Sequence, residues 1–509
     1  MADNLKALVV ILFLAGVVFL AARGPACQAA MAEEDFRRRR NLWLALTALV
    51  FLAQDFWLFM AGAAVLLLVL GRRDPNPPAL FFFLVFAVPA LASEISGFGL
   101  ARQLFALSYP RLLALTVLLP AALALFLNPG PESSASKWPD RILAAYILLT
   151  LGLQLTVDTF TNTLRYGLYD GLDIVLPYYV ASRALNSRKA FRDALMSFSV
   201  AAMVLAAIGV FEFAKSWLLY ASLDNILGVG WAYGGYLQRG DSLRALASTG
   251  QPIALGFVMA VACGLFLYLR PAVASRGAWR LGLALLMAGL LAPVSRGPWL
   301  GAAVGFVAFV ATGPRPLEDL SKLAFIGLLA APLVLLSPIG DSLLEHLPFI
   351  GAEASDTVAY RERLLEMSLG IIRDNPLFGS FDFLRYLEDL RQGQGIIDIV
   401  NTYLGVALAS GLVGLSLFVS FFLSIALGIR RALLAGADDD LHLLGRVLLA
   451  TLAGILVIIF TVSSITVIPI VYWSVAGLGL AYIRLAERQR RPQPAPLPAA
   501  PPAVAGLQA

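Results

Sequence analysis

The stretch YRERLLEMSLGIIRDNPLFGSFDFLRYLEDLRQGQGIIDIVNTYLGVALASGLV, residues 360–413, is the largest polar interruption in an otherwise apolar chain. It holds five arginines, many carboxylates and no lysine. The whole chain is 59% hydrophobic and 14% charged, with a mean hydropathy of +0.80, whereas soluble domains are about 25% charged. The composition therefore predicts an integral membrane protein, and a protein that concentrates charge in one loop is expected to work there.

Apolar runs near the ~20 residues that span a bilayer repeat along the chain, so we expect helices rather than a barrel. The fold class is an all-α polytopic membrane protein with about 14–15 transmembrane helices. The run 41–71 is divided at Gln54-Asp55, because one continuous span would leave a carboxylate in mid-bilayer at a cost of about 3 kcal/mol. The predicted spans are 5–22, 41–54, 57–71, 79–95, 108–127, 140–157, 171–186, 195–216, 252–270, 278–294, 298–312, 321–338, 400–427, 447–464 and 467–484.

The distribution of lysine and arginine among the short loops predicts the orientation, since cytoplasmic loops carry the positive charge. It places the C-terminus in the cytoplasm, the two long loops 217–251 and 339–399 outside, and the N-terminus outside if the number of spans is odd. The predicted divisions are an N-terminal bundle 1–338 that includes loop 217–251, a periplasmic loop domain 339–399, C-terminal helices 400–484, and a Pro/Ala-rich, disordered cytoplasmic tail 485–509.

The second long loop is predicted to contain two amphipathic helices on the membrane surface. Over 359–373 the apolar residues Tyr360, Leu364, Met367 and Ile371 form one line at helical spacing. Asn375-Pro376 ends this helix, and Gly379 makes the turn. A shorter helix is expected over 383–392.

Arg296 lies in the tight turn VSRGPWLG between two spans. An arginine beside a helix start suits an anion, because the guanidinium fork and the helix dipole both favour negative charge. Alternatively, Arg296 extends to lipid headgroups. Arg244 and Arg239 precede the helix start at ASTGQP, where they either face an anion or are solvated loop charges.

The long loop supplies the other candidates. Arg361 and Arg363 open the amphipathic helix and either bind substrate or pair with Glu362 and Glu366. Asp398 is a candidate general base.

Asn401 and Tyr403 follow Asp398 in DIVNTYL, and Asn401 or Asp398 alternatively caps the following helix. The two histidines, His346 and His442, fall on opposite sides of the membrane. No metal site, nucleotide motif or other cofactor site is therefore expected.

Several blocks in order resemble the O-antigen ligase and polysaccharide polymerase superfamily of bacterial inner membranes. SRGPWLG at 295–301 is similar to its external arginine turn. YRERLLEMSLGIIRDNPLFG at 360–379 is similar to its loop signature, and VNTYLGVALASGLVGL at 400–415 to its following helix. RALASTGQPIALG at 244–256 resembles a weaker upstream block.

The resemblance implies a C-type glycosyltransferase-like fold in the inner membrane and a glycan donor linked to undecaprenyl diphosphate on the periplasmic side. It implies that Arg244 and Arg296 hold the diphosphate and that Arg361 or Arg363 is the loop arginine. The implied partners are the lipid-linked oligosaccharide, a growing glycan acceptor and membrane lipid, together with a flippase and a chain-length regulator. No nucleic acid is expected.

One position departs from the family pattern. Ligases of the family usually carry a His-Asn pair where this chain has Val400-Asn401. The difference favours a polymerase that joins repeat units of an exopolysaccharide or O-antigen. A ligase that transfers glycan to lipid A-core or protein, and a transporter of lipid-linked glycan, remain the alternatives.

Overall fold

The computed structural model describes residues 2–97, 103–128, 137–229, 238–239, 242–335, 353–391, 395–436 and 438–490. Helices dominate these residues. Nine of the described helices are long and apolar enough to cross a membrane, so the predicted all-α polytopic membrane fold is confirmed.

The first part of the chain forms a bundle with one small hairpin. Its helices and strands are α1 (Ala2–Ala29), α2 (Glu33–Leu52), α3 (Phe56–Leu70), α4 (Pro77–Leu84), β1 (Ala92–Ser96), β2 (Gln103–Ser108), α5 (Tyr109–Leu127), α6 (Lys137–Val157), α7 (Phe160–Asp170), α8 (Leu176–Ala184), α9 (Arg188–Lys215) and α10 (Leu223–Leu227). β1 and β2 pair antiparallel.

The second part carries the long loop. Its helices and strands are β3 (Gln238–Arg239), β4 (Ser242–Leu243), α11 (Pro252–Phe266), α12 (Arg276–Leu291), α13 (Arg296–Ala311), α14 (Pro316–Leu335), α15 (Glu353–Asp374), a 3-10 helix (Phe383–Leu390), α16 (Thr402–Leu434), α17 (Asp439–Thr461) and α18 (Ile468–Arg490). The last helix extends past residue 485, where the tail was predicted to begin, and residues 491–509 lie outside the described residues.

The division of the run 41–71 is confirmed. α2 ends at Leu52 and α3 begins at Phe56, and the Asp55 carboxylate accepts a hydrogen bond from the Leu58 N–H at 2.9 Å. Asp55 thus caps α3 at its N-terminus, where a carboxylate satisfies a backbone donor instead of lying in the bilayer.

The predicted span 79–95 is wrong. α4 ends at Leu84, and the chain then becomes extended and enters β1. The residues from Ala79 to Val88 are all buried within the protein. Hydropathy does not distinguish burial against protein from burial in lipid, and Pro89 prevents the helix from continuing.

The region 158–170, which separates two predicted spans, is mostly helical. Thr159 caps α7, and the helix passes through a π-turn at Gly171–Val175 directly into α8. Phe160, Leu164 and Leu168 recur at helical spacing and are exposed, which is the pattern of a surface that faces lipid.

The amphipathic helix of the long loop is confirmed and begins earlier than predicted, at Glu353. Its apolar line packs on a small cluster around Leu364, Leu387, Leu390 and Leu408. The second predicted helix, 383–392, is the 3-10 helix Phe383–Leu390. The long loop therefore has its own apolar core at the start of α16.

Candidate functional site

Two arginines from distant parts of the sequence meet at the end of α17. The Arg361 guanidinium lies 3.4 Å from the Thr461 carbonyl and donates to it. The first turn of α13 also packs on Thr461, because a Cβ added to Gly297 would collide with the Thr461 hydroxyl. Arg296 and Arg361 therefore border the same residue.

The charges of this group act on one another. Desolvation by neighbouring atoms lowers the pKa of Arg361, although its side chain remains exposed to solvent. The nearby Asp398 carboxylate opposes that shift, and the positive charge of Arg296 adds to it. Two guanidinium groups that repel each other in a partly desolvated place favour an anion between them. We refer to Arg296, Arg361, Asp398 and Thr461 as the arginine site.

Asp398 is held by the segment that follows α17. The Ser463 hydroxyl donates to the Asp398 carboxylate and also lies 2.8 Å from the Ile399 carbonyl. The Tyr360 hydroxyl donates to the Asp398 carbonyl at 3.0 Å and accepts from the Asp398 N–H at 3.1 Å. Both the side chain and the backbone of Asp398 are thus fixed, and its backbone is held by Tyr360, the residue before Arg361 in α15.

Arg244 lies at the turn that precedes Arg296. Its Nε donates to the Pro293 carbonyl at 3.1 Å, and the neighbouring Ala245 N–H donates to the Ala292 carbonyl. The turn is compact, with Val294 in the left-handed region at a φ of 47°. The structure therefore brings Arg244 close to the start of α13.

A buried carboxylate anchors the Arg244 segment. Glu212 of α9 is inaccessible to solvent and accepts hydrogen bonds from the N–H groups of Leu219, Leu246 and Ala247 at 3.0, 2.9 and 2.7 Å. Hydrogen bonds from backbone N–H groups compensate the cost of burying a carboxylate. Glu212 thus ties both ends of the segment 217–251 to α9.

The long loop is joined to α16 through backbone atoms. α16 is interrupted at Gly411, which has a φ of 64° and a ψ of −166°, a conformation essentially restricted to glycine. The Leu412 and Val413 N–H groups donate to the carbonyls of Pro376 and Leu377 at 2.8 and 3.1 Å. Ser380 completes the contact by donating to the Leu408 carbonyl at 2.7 Å.

An apolar cavity of about 530 Å³ lies between α11, α12, α13 and α17. Its lining includes Trp299, one turn after Arg296, and Ile458, whose carbonyl accepts from the Thr461 hydroxyl at 2.9 Å. The cavity therefore reaches the arginine site at one end. An apolar chain in the cavity would bring an attached anionic headgroup to the arginines.

The sequence between α12 and α16 matches a known family. Residues 281–419 match the family model described as O-antigen ligase. This match supports the resemblance of the chain to the O-antigen ligase and polymerase superfamily. The matched region contains Arg296, Arg361 and Asp398, whereas Arg244, Thr461 and Ser463 lie outside it. No curated protein matches the chain significantly.

Val400, the position at which superfamily ligases usually have histidine, packs with the small cluster of the loop. Ile399 and Leu404 pack on the same cluster, whose buried residues include Leu364. The position is occupied by a side chain that neither accepts nor donates a proton. Any general base at this site has to come from another residue, and Asp398 is the nearest candidate along the chain.

Asn401 and Tyr403 use their polar atoms within the helix bundle. The Asn401 side chain accepts from the N–H groups of Tyr403 and Leu404 at 3.0 and 3.2 Å and caps α16. The Tyr403 hydroxyl donates to the Leu456 carbonyl at 3.1 Å, and its ring packs on Phe418. The hydrogen bond from Tyr403 to Leu456 joins α16 to α17.

Arg363 and His442 lie apart from the arginine site. Arg363 is exposed on α15, two residues from Arg361 and hence on a different side of the helix. Only the backbone of Arg239 is described, in strand β3. His346 lies outside the described residues, and His442 belongs to the start of α17, at the other end of that helix from Thr461.

Glu212, Thr461 and Ser463 are not among the residues predicted from the sequence. Glu212 carried a usable signal, because a carboxylate inside an apolar run is expensive and needs a partner. Thr461 and Ser463 carried none, since a hydroxyl at the end of a span is common, and their roles depend on contacts with residues far away in sequence.

Proposed function

We propose that the protein is a polysaccharide polymerase. It transfers glycan repeat units from undecaprenyl diphosphate to a growing exopolysaccharide or O-antigen chain. The observation that carries the proposal is the meeting of Arg296 and Arg361 at Thr461, where the apolar cavity between α11, α12, α13 and α17 ends. A cationic site above an apolar cavity has the chemistry that binds a lipid diphosphate.

The reaction follows from this placement. The oxygen of an acceptor hydroxyl attacks the anomeric carbon of the donor glycan, and the bond from that carbon to the diphosphate oxygen breaks. The electron pair leaves with the lipid diphosphate. Arg296, Arg361 and the neighbouring Arg244 stabilise the negative charge that develops there, which is the usual basis of electrostatic catalysis in a desolvated site. The single displacement inverts the anomeric centre.

Asp398 is the group that takes the proton of the acceptor hydroxyl in this proposal. Its hydrogen bond from Ser463 and its fixed backbone hold the carboxylate beside Arg361. A positioned carboxylate of this kind contributes about 10²–10⁴-fold as a general base. Because the bond to the diphosphate supplies the driving force, the reaction needs neither metal nor nucleotide.

The polymerase is favoured over a ligase because Val400 occupies the position of the ligase histidine and lies in an apolar cluster. In this proposal the arginine site faces the periplasm, the C-terminus is cytoplasmic, and the protein lies in the inner membrane. The bundle 1–338 and the helices 400–484 enclose the donor lipid, and the loop domain 339–399 covers its glycan. A flippase delivers the donor, and a chain-length regulator acts on the product.

Reconstitution tests the proposal. Purified protein in liposomes, given undecaprenyl-diphosphate oligosaccharide with EDTA and no nucleotide, should lengthen the glycan and release undecaprenyl diphosphate. If the lipid-linked glycan moves between the leaflets but is not lengthened, the protein is a transporter and the proposal is contradicted.

Deletion of the gene distinguishes polymerase from ligase. The deletion strain should accumulate single repeat units on the lipid carrier. Long polymer that persists on the carrier would identify a ligase instead.

A further inference from the structure

A second pocket, which contains charged side chains, lies at the opposite end of the bundle from the arginine site. It has a volume of about 270 Å³ and lies between α13, α14 and α17. Its lining includes Phe306, Phe309, Asp319, Lys322, Ile326 and Arg446. Phe309 lies about 20 Å from Arg296 along the axis of α13, at a rise of 1.5 Å per residue. The pocket therefore lies near the other membrane interface.

Arg446 places a guanidinium in this pocket with donors to spare. One terminal nitrogen donates to the Phe309 carbonyl at 2.9 Å, and the guanidinium lies over the Phe309 ring at 4.5 Å. The Nε atom is buried and has no hydrogen-bond partner among the described residues. A buried guanidinium N–H without a partner is costly, and an oxygen ligand in the pocket would satisfy it.

The other charges of the pocket have both signs. Lys322 is 62% exposed and extends from α14, where its ammonium lies 2.6 Å from the Glu318 carboxylate. Asp319 lies on the same helix and acts on Arg446 through its charge. A ligand with negative charge alone would meet Asp319 unfavourably, whereas a ligand with a phosphate and a nearby ammonium matches both signs.

The surroundings of the pocket are apolar and exposed. Phe306 and Val307 of α13 and Phe325, Ile326 and Leu329 of α14 expose between 44% and 62% of their surfaces. In a membrane protein such side chains contact acyl chains. A molecule in the pocket would therefore have its polar group at Arg446 and its apolar part along α14.

We infer that this pocket binds the headgroup of a glycerophospholipid with a primary amine, of the phosphatidylethanolamine type. The phosphate oxygens accept from Arg446 and Lys322, and the ammonium donates to Asp319. This site is separate from the arginine site, and it does not depend on the glycan chemistry proposed above.

Binding of defined phospholipids to the delipidated, purified protein in detergent tests the inference, with native mass spectrometry as the readout. Phosphatidylethanolamine should bind about tenfold more tightly than phosphatidylglycerol or phosphatidylcholine. The glycerol headgroup has no ammonium for Asp319, and the choline headgroup has no N–H donor. Equal affinity for the three lipids would overturn the inference.

Two variants and one control locate the site. Asp319→Asn should abolish the preference for phosphatidylethanolamine over phosphatidylglycerol. Lys322→Gln should lower the affinity for both lipids several-fold. Arg315→Gln, at a residue that is 75% exposed and outside the pocket lining, should change neither. An unchanged lipid preference in Asp319→Asn would overturn the assignment of the ammonium to Asp319.

A soluble competitor distinguishes a lipid from a free headgroup. Glycerophosphoethanolamine should displace bound phosphatidylethanolamine only at concentrations far above that of the lipid, because it lacks the acyl chains that contact α14. Displacement at equal concentrations would show that the pocket takes a soluble phosphoamine and would overturn the lipid assignment.

Discussion

Arg39 and Arg361 differ in how completely neighbouring groups compensate their positive charges. Arg39 is completely buried and makes paired hydrogen bonds to Asp74 at 2.8 Å and to Asp193 at 2.5 and 3.0 Å, with a further bond to Ser197. Arg361 donates to a backbone carbonyl. Its pKa is lowered by desolvation and, in addition, by the positive charge of the nearby Arg296.

This difference in charge compensation suggests different roles for Arg39 and Arg361. The guanidinium of Arg39 is fully used, and it joins α2, the turn after α3, and α9. Asn76 extends this network by donating to Asp193 at 2.9 Å. Around Arg361 the positive charge is only partly compensated by Asp398, so the local charge balance favours an anionic ligand. We therefore expect Arg39 to stabilise the fold and Arg361 to bind the proposed substrate.

The largest effect is expected from Arg39→Ala. Removing the cation leaves two buried carboxylates without their partner, which costs about 3–5 kcal/mol. We expect a large drop in the temperature of thermal unfolding and low yield in the membrane. Arg37→Ala, at an exposed position of the same helix, is the control. Normal stability with lost activity in Arg39→Ala would contradict the comparison.

Arg361→Ala should show the reverse pattern. Loss of one group that stabilises developing charge costs about 3–4 kcal/mol, a factor of about 10²–10³ in turnover. The thermal unfolding temperature should remain near that of the unmodified protein. Arg385→Ala, in the same loop at an 80% exposed residue, should keep nearly full activity. If both variants lose activity equally, the loop acts through its overall charge and not through Arg361.

Much of the fold could be predicted because its determinants are local. Asp55 divides two helices and caps the second, and Tyr360, Leu364 and Met367 mark the buried face of the loop helix. The span 79–95 could not be predicted, because its apolar residues contact protein instead of lipid. Hydropathy indicates that a segment avoids water, but it does not show whether the segment contacts lipid or other parts of the protein.

The site was predictable in its residue types and not in its contacts. Arg296, Arg361 and Asp398 are visible as charges at the edges of apolar runs. Their meeting point, Thr461, is 100 residues from Arg361 in sequence, and Ser463 is 65 residues from Asp398. Contacts at such separations depend on helix packing, which no local pattern encodes.

Gly411→Ala tests whether the loop must be held on α16 for Arg361 to work. A side chain in this backbone conformation costs about 1–3 kcal/mol, and it would also collide with the Leu377 carbonyl. We expect faster proteolysis near residues 376–380 and about tenfold lower turnover, with the rest of the bundle intact.

Gly405→Ala is the matched control for this variant. Gly405 is helical, and an added Cβ would lie 3.5 Å from Ile399, an ordinary contact. Proteolysis and turnover in Gly405→Ala should match those of the unmodified protein. Unchanged proteolysis in Gly411→Ala would show that the backbone contacts do not hold the loop.

The smallest effect is expected from Asn401→Ala. Loss of the cap of α16 costs about 1 kcal/mol, so the unfolding temperature should fall slightly and turnover by no more than a few-fold. Asn401→Ser should restore both, because serine also caps helices. Abolished turnover at unchanged stability would instead assign Asn401 to substrate binding.

The central claim is that Arg296 and Arg361 bind a diphosphate. The most direct measurement is the affinity of the purified protein for undecaprenyl diphosphate relative to undecaprenyl monophosphate. The unmodified protein and Arg385→Ala should prefer the diphosphate at least tenfold, and Arg296→Ala and Arg361→Ala should lose that preference while remaining folded. Equal affinity for the two lipids, or a preference that survives both substitutions, would contradict the claim.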